Sequence, residues 1–290
     1  MIYITSDTTA DLGELFDKRG VTTIPLTVIL GNDMCFDGVD VDPTKIYDFV
    51  EQTGKLPKTS ARSIEEYKEF FNSVKKNPDD AIIHFSLSGG ISITCHNAFE
   101  AASQMENVYV VDSKSLSSGS GLLVLYACDL RDENCYTAKE IYEKCIARVD
   151  AVQASFIVDT MEYLHKGGRC SGLVAFAAGA LRIKPSLQLK EGKIVVGKKY
   201  MFKPTKAIAP LYVKNVLEMF NTPDTKRIFI TYTYNTSPEV VQAVKNAVAN
   251  SPYEFEEVIE TVASSTITCH CGAGTIGILY INDGKGIEQQ

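Results

Sequence analysis

The first half of the chain alternates between short apolar runs and stretches in which apolar residues recur every three or four positions. "IYIT" (2–5) and "TTIPLTVIL" (22–30) read as strands, and "ADLGELFDKRG" (10–20) between them as a helix. Helical periodicity returns over 44–53 and 63–76, where Tyr67, Phe70, Phe71 and Val74 share one face. A strand over 81–87, a helix over 93–105, a strand over 108–113 and helices over 118–130 and 137–150 follow. Buried strands alternating with helices of this length predict a parallel sheet covered on both faces.

From Val152 the pattern changes. "QASFIVDT" (153–160) reads as a strand, "GLVAFAAGALR" (172–182) as a helix of small residues, and 185–202 as a hairpin turning at Glu191-Gly192. A helix over 205–220, a strand over 227–233, a helix opened by Pro238 and a closing strand over 277–282 complete the chain. The expected architecture is α/β in two domains, a parallel-sheet α/β/α domain over 1–151 and a mixed-sheet α/β domain over 152–290. There is no internal repeat and no low-complexity segment.

Composition narrows the class. The 290 residues are 45% hydrophobic and 22% charged, and 29 Lys and Arg against 36 Asp and Glu give a net charge of −7. This describes a folded chain whose main partner is neither a nucleic-acid backbone nor an anionic membrane surface. The apolar stretches "SGLLVLYAC" and "GLVAFAAGAL" are about half the ~20 residues that cross a bilayer, so no integral membrane segment is expected. The N-terminus lacks the layout of a secretory signal, and the eight cysteines follow no framework, which places the chain in the cytoplasm with reduced thiols.

Four stretches carry candidate chemistry. In "SLSGGISIT" (86–94) a strand gives way through Gly89-Gly90 to a helix near Ser92. The carboxyl end of a strand and the N–H groups of a following helix suit an anion, although Ser92 serves equally well as a helix cap. The same residues miss G-x-S-x-G only in having Thr94 for the last glycine, so a serine hydrolase using Ser92 and His270 is the rival reading. In "LPKTSARS" (56–63), Ser63 and Glu66 form a capping box, while Thr59 and Ser60 have no local task. In "YLHKGGRCSG" (163–172), Arg169 follows a double glycine and can fork onto a carboxylate or phosphate, or lie in solvent. In "TITCHCGAGTIG" (266–277), read as extended, alternation turns Cys269 and Cys271 away from His270, so no metal site is expected. "GKIVVGKK" (192–199) matches a phosphate-loop spacing, but Lys199 stands where a Ser or Thr is needed and the segment alternates like a hairpin. Asp7 is read as a cap for the first helix.

Taken in order along the chain, these motifs resemble the DegV family of bacterial fatty-acid-binding proteins, which present their ligand to a separate fatty acid kinase. "SDTTADL", "PKTSARS", "SGGISITCHNA", "VVDSKSLSSGSG", "DTMEYLHKGGRCSG" and "TCHCGAGTIG" are each similar to a family motif and run in register over nearly all 290 residues. The resemblance implies a long-chain fatty acid whose carboxylate is held by hydroxyls and whose chain lies in an apolar tunnel. It assigns ligand binding to Ser92, Thr59, Ser60, Arg169 and His270. On charge alone Arg169, with Lys203 or Lys206, would neutralise a transferred phosphate. The chain would then be a non-catalytic, lipid-binding subunit, without catalytic residues or a cofactor, supplying a phospholipid precursor through an ATP-dependent kinase partner. A binder of another small anion, with no kinase partner, is the third reading. Departures from the family pattern include Ile93 for the glycine after the binding serine, a bulk that either narrows the head-group pocket or shifts the turn. Ala61-Arg62 stands for Gln-Pro, Cys95-His96-Asn97 for Tyr-Gln-Ser, and Ala273 for proline.

Overall fold

The structure is a computed structural model that describes residues 1–169, 183–201 and 204–284. The expected helix over 172–182, Ser171 and Lys203 lie outside the described residues. A four-stranded parallel sheet is built from β1 (Ile2–Asp7), β2 (Val21–Ile24), β6 (Ala81–Ser86) and β7 (Val108–Asp112) in the order β2-β1-β6-β7. Every residue of β6 is buried, as a central parallel strand requires. A six-stranded mixed sheet has the order β10-β9-β8-β13-β11-β12. Its strands are β8 (Val152–Ile157), β9 (Ile183–Lys190), β10 (Lys193–Met201), β11 (Arg227–Tyr232), β12 (Glu257–Val262) and β13 (Ile276–Ile281). The fold class is the α/β combination of a parallel and a mixed sheet that the pattern predicts.

Several elements differ from the expectation; the helix read over 10–20 spans only Leu15–Lys18, and a helix over Glu162–Lys166 was not foreseen. "TTIPLTVIL" is two strands, not one: Pro25 has no N–H to give a ladder, and after it β3 (Thr27–Leu30) pairs antiparallel with β4 (Asp33–Phe36) and β5 (Lys58–Ser60) in a small third sheet. β12 was not foreseen, because as an edge strand it leaves Val258 and Val262 exposed and carries Glu257 and Glu260, so no apolar run marks it. Residues 265–271 are helical, not extended, and that correction bears on the site.

Helices α1 (Leu15–Lys18), α2 (Pro43–Thr53), α3 (Ile64–Val74), α4 (Thr94–Ala102), α5 (Ser118–Asp132) and α6 (Ala138–Ile146) belong to the first half. α3 has the foreseen capping box, with Ser63 Oγ accepting from Glu66 N–H and Glu66 accepting from Ser63 N–H, and it buries Tyr67, Phe71 and Val74. α5 is apolar nearly all round and packs against β1 and β6 on one side and β8, β11 and β13 on the other. One core therefore runs from Ile4 and Phe85 through Leu122 and Leu123 to Ala154, Phe229 and Leu279, joining the two sheets. α7 (Glu162–Lys166), α8 (Thr205–Met219), α9 (Pro238–Ala249) and α10 (Ser265–Cys271) complete the second half. Ion pairs also cross between the halves, from Arg148 to Asp224 and Asp283 and from Arg227 to Asp129.

Candidate functional site

The order β2-β1-β6-β7 places a topological switch between β1 and β6, the position where open α/β sheets leave a crevice at the carboxyl ends of their strands. Asp7 ends β1 there. Its carboxyl group is buried and accepts from Tyr67 Oη (2.6 Å), Ser86 Oγ (2.8 Å) and Leu87 N–H (2.8 Å), with His84 Nε2 at 3.4 Å. No side-chain cap bond forms to the short helix that follows. The capping expectation for Asp7 is therefore corrected: its side chain fixes the end of β6, from which Leu87 enters the crevice.

Past Leu87 the chain turns. Ser88 Oγ donates to Gly192 O (2.7 Å), tying this turn to the β9–β10 hairpin, whose Glu191 and Gly192 both have positive φ as a type I′ turn demands. A Cβ on Gly90 would lie 2.5 Å from Gly192 O, so the second glycine is the room the hairpin backbone needs. Ser92 follows, one residue before Ile93, the N-cap of α4. Its Oγ accepts from Thr94 N–H (3.2 Å) and donates to Thr94 Oγ1 (3.0 Å), a local turn at the helix entry, while its half-buried side chain also lines the crevice. Ile93 is 62% exposed and does not line the crevice, so its bulk points to solvent and narrows nothing.

Opposite stands α10. Asp37, 1% exposed, accepts from Ser265 N–H (2.9 Å) and Thr266 N–H (3.0 Å), and Asp11 accepts from Ser264 N–H (3.0 Å) and Ser117 Oγ (2.5 Å). Two carboxyl groups of the first half thus hold the start of a helix from the second. The helical course replaces the alternation argument for Cys269 and Cys271, which enter two separate apolar clusters. His270 turns instead towards β5, where its Nε2 is hydrogen-bonded to Thr59 Oγ1 (2.8 Å). Its Nδ1 is buried and has no hydrogen-bond partner among the described residues. A Cβ on Gly167 would lie 2.6 Å from that Nδ1, so the glycine before Gly168-Arg169 seats the imidazole. Burial, and then the Arg169 charge, lower the His270 pKa to about 4, so the ring is neutral at physiological pH.

These elements enclose a cavity of about 550 Å³, its open mouth included. Thr59, Ser60, Ser92, Arg169 and His270, the five residues singled out from the sequence, all line it. Leu26, Leu87, Ile91, Leu116, Leu164 and Ile194 supply much of the apolar lining, with Ile267 and Cys271. Thr59, Ser92 and Arg169 are half-buried and Ser60 is exposed. Arg169 Nη1 donates to Gly167 O (2.6 Å). Lys206 is not part of this group; it is exposed and paired with Glu239. Sequence reasoning missed Thr266, one helical turn before His270. It lines the cavity, is 3% exposed, and its Oγ1 has no partner among the described residues. The i, i+4 spacing would have revealed it had the segment been read as helical.

Chemically the cavity offers hydroxyls, a neutral imidazole and one guanidinium among largely apolar walls. It does not assemble a serine triad, because His270 bonds Thr59 and its Nδ1 meets no acid among the described residues. "GKIVVGKK" lies in the turn and β10, so it builds no phosphate loop. No helix among the described residues is long and apolar enough to cross a membrane.

Known proteins resemble this chain over nearly its whole length. A fatty acid-binding protein of Thermotoga maritima is 28% identical over 283 residues, 95% of this chain and 96% of its own. The structure of a DegV family protein from Thermus thermophilus, described for its fatty acid binding, superposes with a TM-score of 0.86 at 27% identity, over 97% of this chain and 99% of that one. A stearic-acid-binding protein from Eubacterium ventriosum gives 0.85 at 25% identity, over all of both chains. The family model described as "Uncharacterised protein, DegV family" matches residues 1–283. The chain belongs to the DegV family.

Proposed function

We propose that this chain binds a long-chain fatty acid, with its carboxylate among Ser92, Thr59, Ser60, Arg169 and His270 and its acyl chain against the apolar walls. The observation that carries this reading is the convergence of those five side chains on one hollow whose other walls are mostly apolar. Relatives named for fatty acid binding support it. Each buried methylene contributes about 0.8 kcal/mol, so the tail supplies most of the affinity and the polar end supplies orientation. The protein presents the head group to a separate ATP-dependent kinase in the cytoplasm. There a carboxylate oxygen attacks the γ-phosphorus of ATP, giving an acyl phosphate for phospholipid synthesis and ADP. Thr59 and Ser60 at the mouth and the Arg169 charge beside them support that orientation, and the reading asks for no cofactor beyond the bound acid.

Native mass spectrometry of the purified protein, followed by extraction of what it releases, tests the ligand class. A mass excess matching a long-chain acid is expected, and an apo mass unchanged by incubation with such acids would refute it. Ser92→Ala removes one hydroxyl from the carboxylate and is expected to weaken retention about tenfold, near the ~1.4 kcal/mol of a charge-assisted bond. Undiminished retention would place the carboxylate elsewhere. Labelling of Ser92 by a fluorophosphonate would instead favour a hydrolase, and a bound acid with no captured kinase would favour a simple binding protein.

Thr266→Val separates ligand binding from stability. The change keeps shape and removes a buried hydroxyl that has no partner, so stability is expected to stay level or rise slightly. Affinity for the acid is expected to fall several-fold, because that hydroxyl is completed by the carboxylate. Titration calorimetry paired with thermal unfolding checks both halves, and unchanged affinity would leave Thr266 without a part in the site.

A further inference from the structure

A second hollow, about 340 Å³ with its open side included, adjoins the first and is walled by Leu116, Phe156, Ala263, Ile267, Cys271 and Leu279. Leu116, Ile267 and Cys271 line both hollows and so form the partition between them. The two compartments differ chemically. The first contains buried polar atoms without partners, Thr266 Oγ1 and His270 Nδ1. In the second, every lining Ser and Thr hydroxyl is already engaged. Ser117 donates to Asp11, Ser155 pairs with Tyr212, and Thr231 pairs with Ser118 and Thr261. Thr233 accepts from Thr275 N–H, and Thr275 Oγ1 donates to Cys271 O. A space with no free hydrogen-bonding demand gives water nothing to hold and suits hydrocarbon.

We infer that the two hollows are successive compartments for one acyl chain, and that Ile267 in the partition sets how long a chain is accepted. The inference rests on the fatty-acid reading above. The head group stays in the first compartment with the unpartnered atoms, and the tail advances until it meets the Ile267 side chain, between Leu116 and Cys271. Ile267 is 8% exposed, and its surroundings are apolar on both sides, so shortening it opens the passage without stranding a polar group.

The test incubates wild type, Ile267→Val and Ile267→Ala with an equimolar series of saturated acids from about ten to twenty-two carbons, and reads retained species by native mass spectrometry. Each methylene that gains a dry wall is worth roughly fourfold in affinity. The retained distribution is expected to move to longer chains in the order wild type, Val, Ala, by about three carbons for Ala, which lacks three of the four side-chain carbons of isoleucine. The Val variant removes a single methyl and keeps the test informative if Ala unfolds. Distributions that coincide in all three proteins would overturn the partition. If wild type retains no acid at all, the fatty-acid reading itself fails and takes this inference with it.

Discussion

Asp37→Ala is expected to lower stability by about 3–5 kcal/mol and to abolish fatty-acid retention in the same protein. Asp37 lies beyond β4 and is 1% exposed, yet its two oxygens take the N–H groups of Ser265 and Thr266, more than two hundred residues later, and Thr8 Oγ1 donates to it at 3.4 Å. Removing the carboxyl group leaves two buried N–H groups unpaired at the start of α10. Each such buried orphan costs about 1–3 kcal/mol. The same helix carries Thr266, Ile267 and His270, so a shift of its first turn misplaces the imidazole against Thr59. Asp37→Asn keeps one acceptor and turns an NH2 group towards the other N–H, so it is expected to fall between wild type and Ala. Urea denaturation gives the stability and native mass spectrometry the retention. An Ala variant within 1 kcal/mol of wild type would show that the α10 start is held by other contacts.

This clamp marks the limit of what the sequence discloses. The five cavity residues stand in local patterns of glycine, hydroxyl and charge beside strand ends, and such patterns are readable because turn chemistry is local. Ser63 and Glu66 were legible for the same reason, as were Glu191-Gly192 and the apolar face of α3. Asp37 and Asp11 sit in unremarkable loops. Their importance comes from N–H groups that arrive only when the second half folds against the first, and no spacing reports that. The 265–271 segment misled because β-branched Thr and Ile residues suggest a strand, while Ser264 Oγ accepting from Ile267 N–H and the Asp37 bonds impose a helix. The double glycine at 89–90 signalled a tight turn, but the reason for it is a hairpin from the other half pressing on Gly90. Long-range packing also decides Ile93, whose outward direction follows from α4 turning Thr94 and Cys95 inward.

Two buried groups at this junction give stability opposing dependences on pH, and substituting either is expected to expose the other. Burial raises the Asp11 pKa from 3.8 to about 7, against the lowering effect of Ser117 and Ser264 and with a smaller push from the Asp37 charge. Between those values the folded chain keeps a proton that the unfolded chain has lost. That stabilisation, at most about 4 kcal/mol, is complete below pH 3.8 and fades as pH rises through about 7. His270 works the other way. Its pKa falls from 6.5 to about 4, so between those values the unfolded chain binds a proton that the folded chain refuses. Stability then rises with pH across that window, by at most about 3 kcal/mol. From pH 4 to 6.5 the two slopes, each about 1.4 kcal/mol per pH unit at full strength, oppose one another. Urea denaturation at half-unit pH intervals, read as wild type minus variant, removes the background of other carboxyl groups. For Asp11→Asn the difference is expected to shrink with rising pH, as a costly buried charge appears in the wild type that the variant never carries. For His270→Gln, which keeps a partner for Thr59, the difference is expected to grow from pH 4 to 6.5. Difference curves that stay flat for either variant would mean that its group titrates alike in the folded and unfolded chain, and that the junction is open to water at that residue.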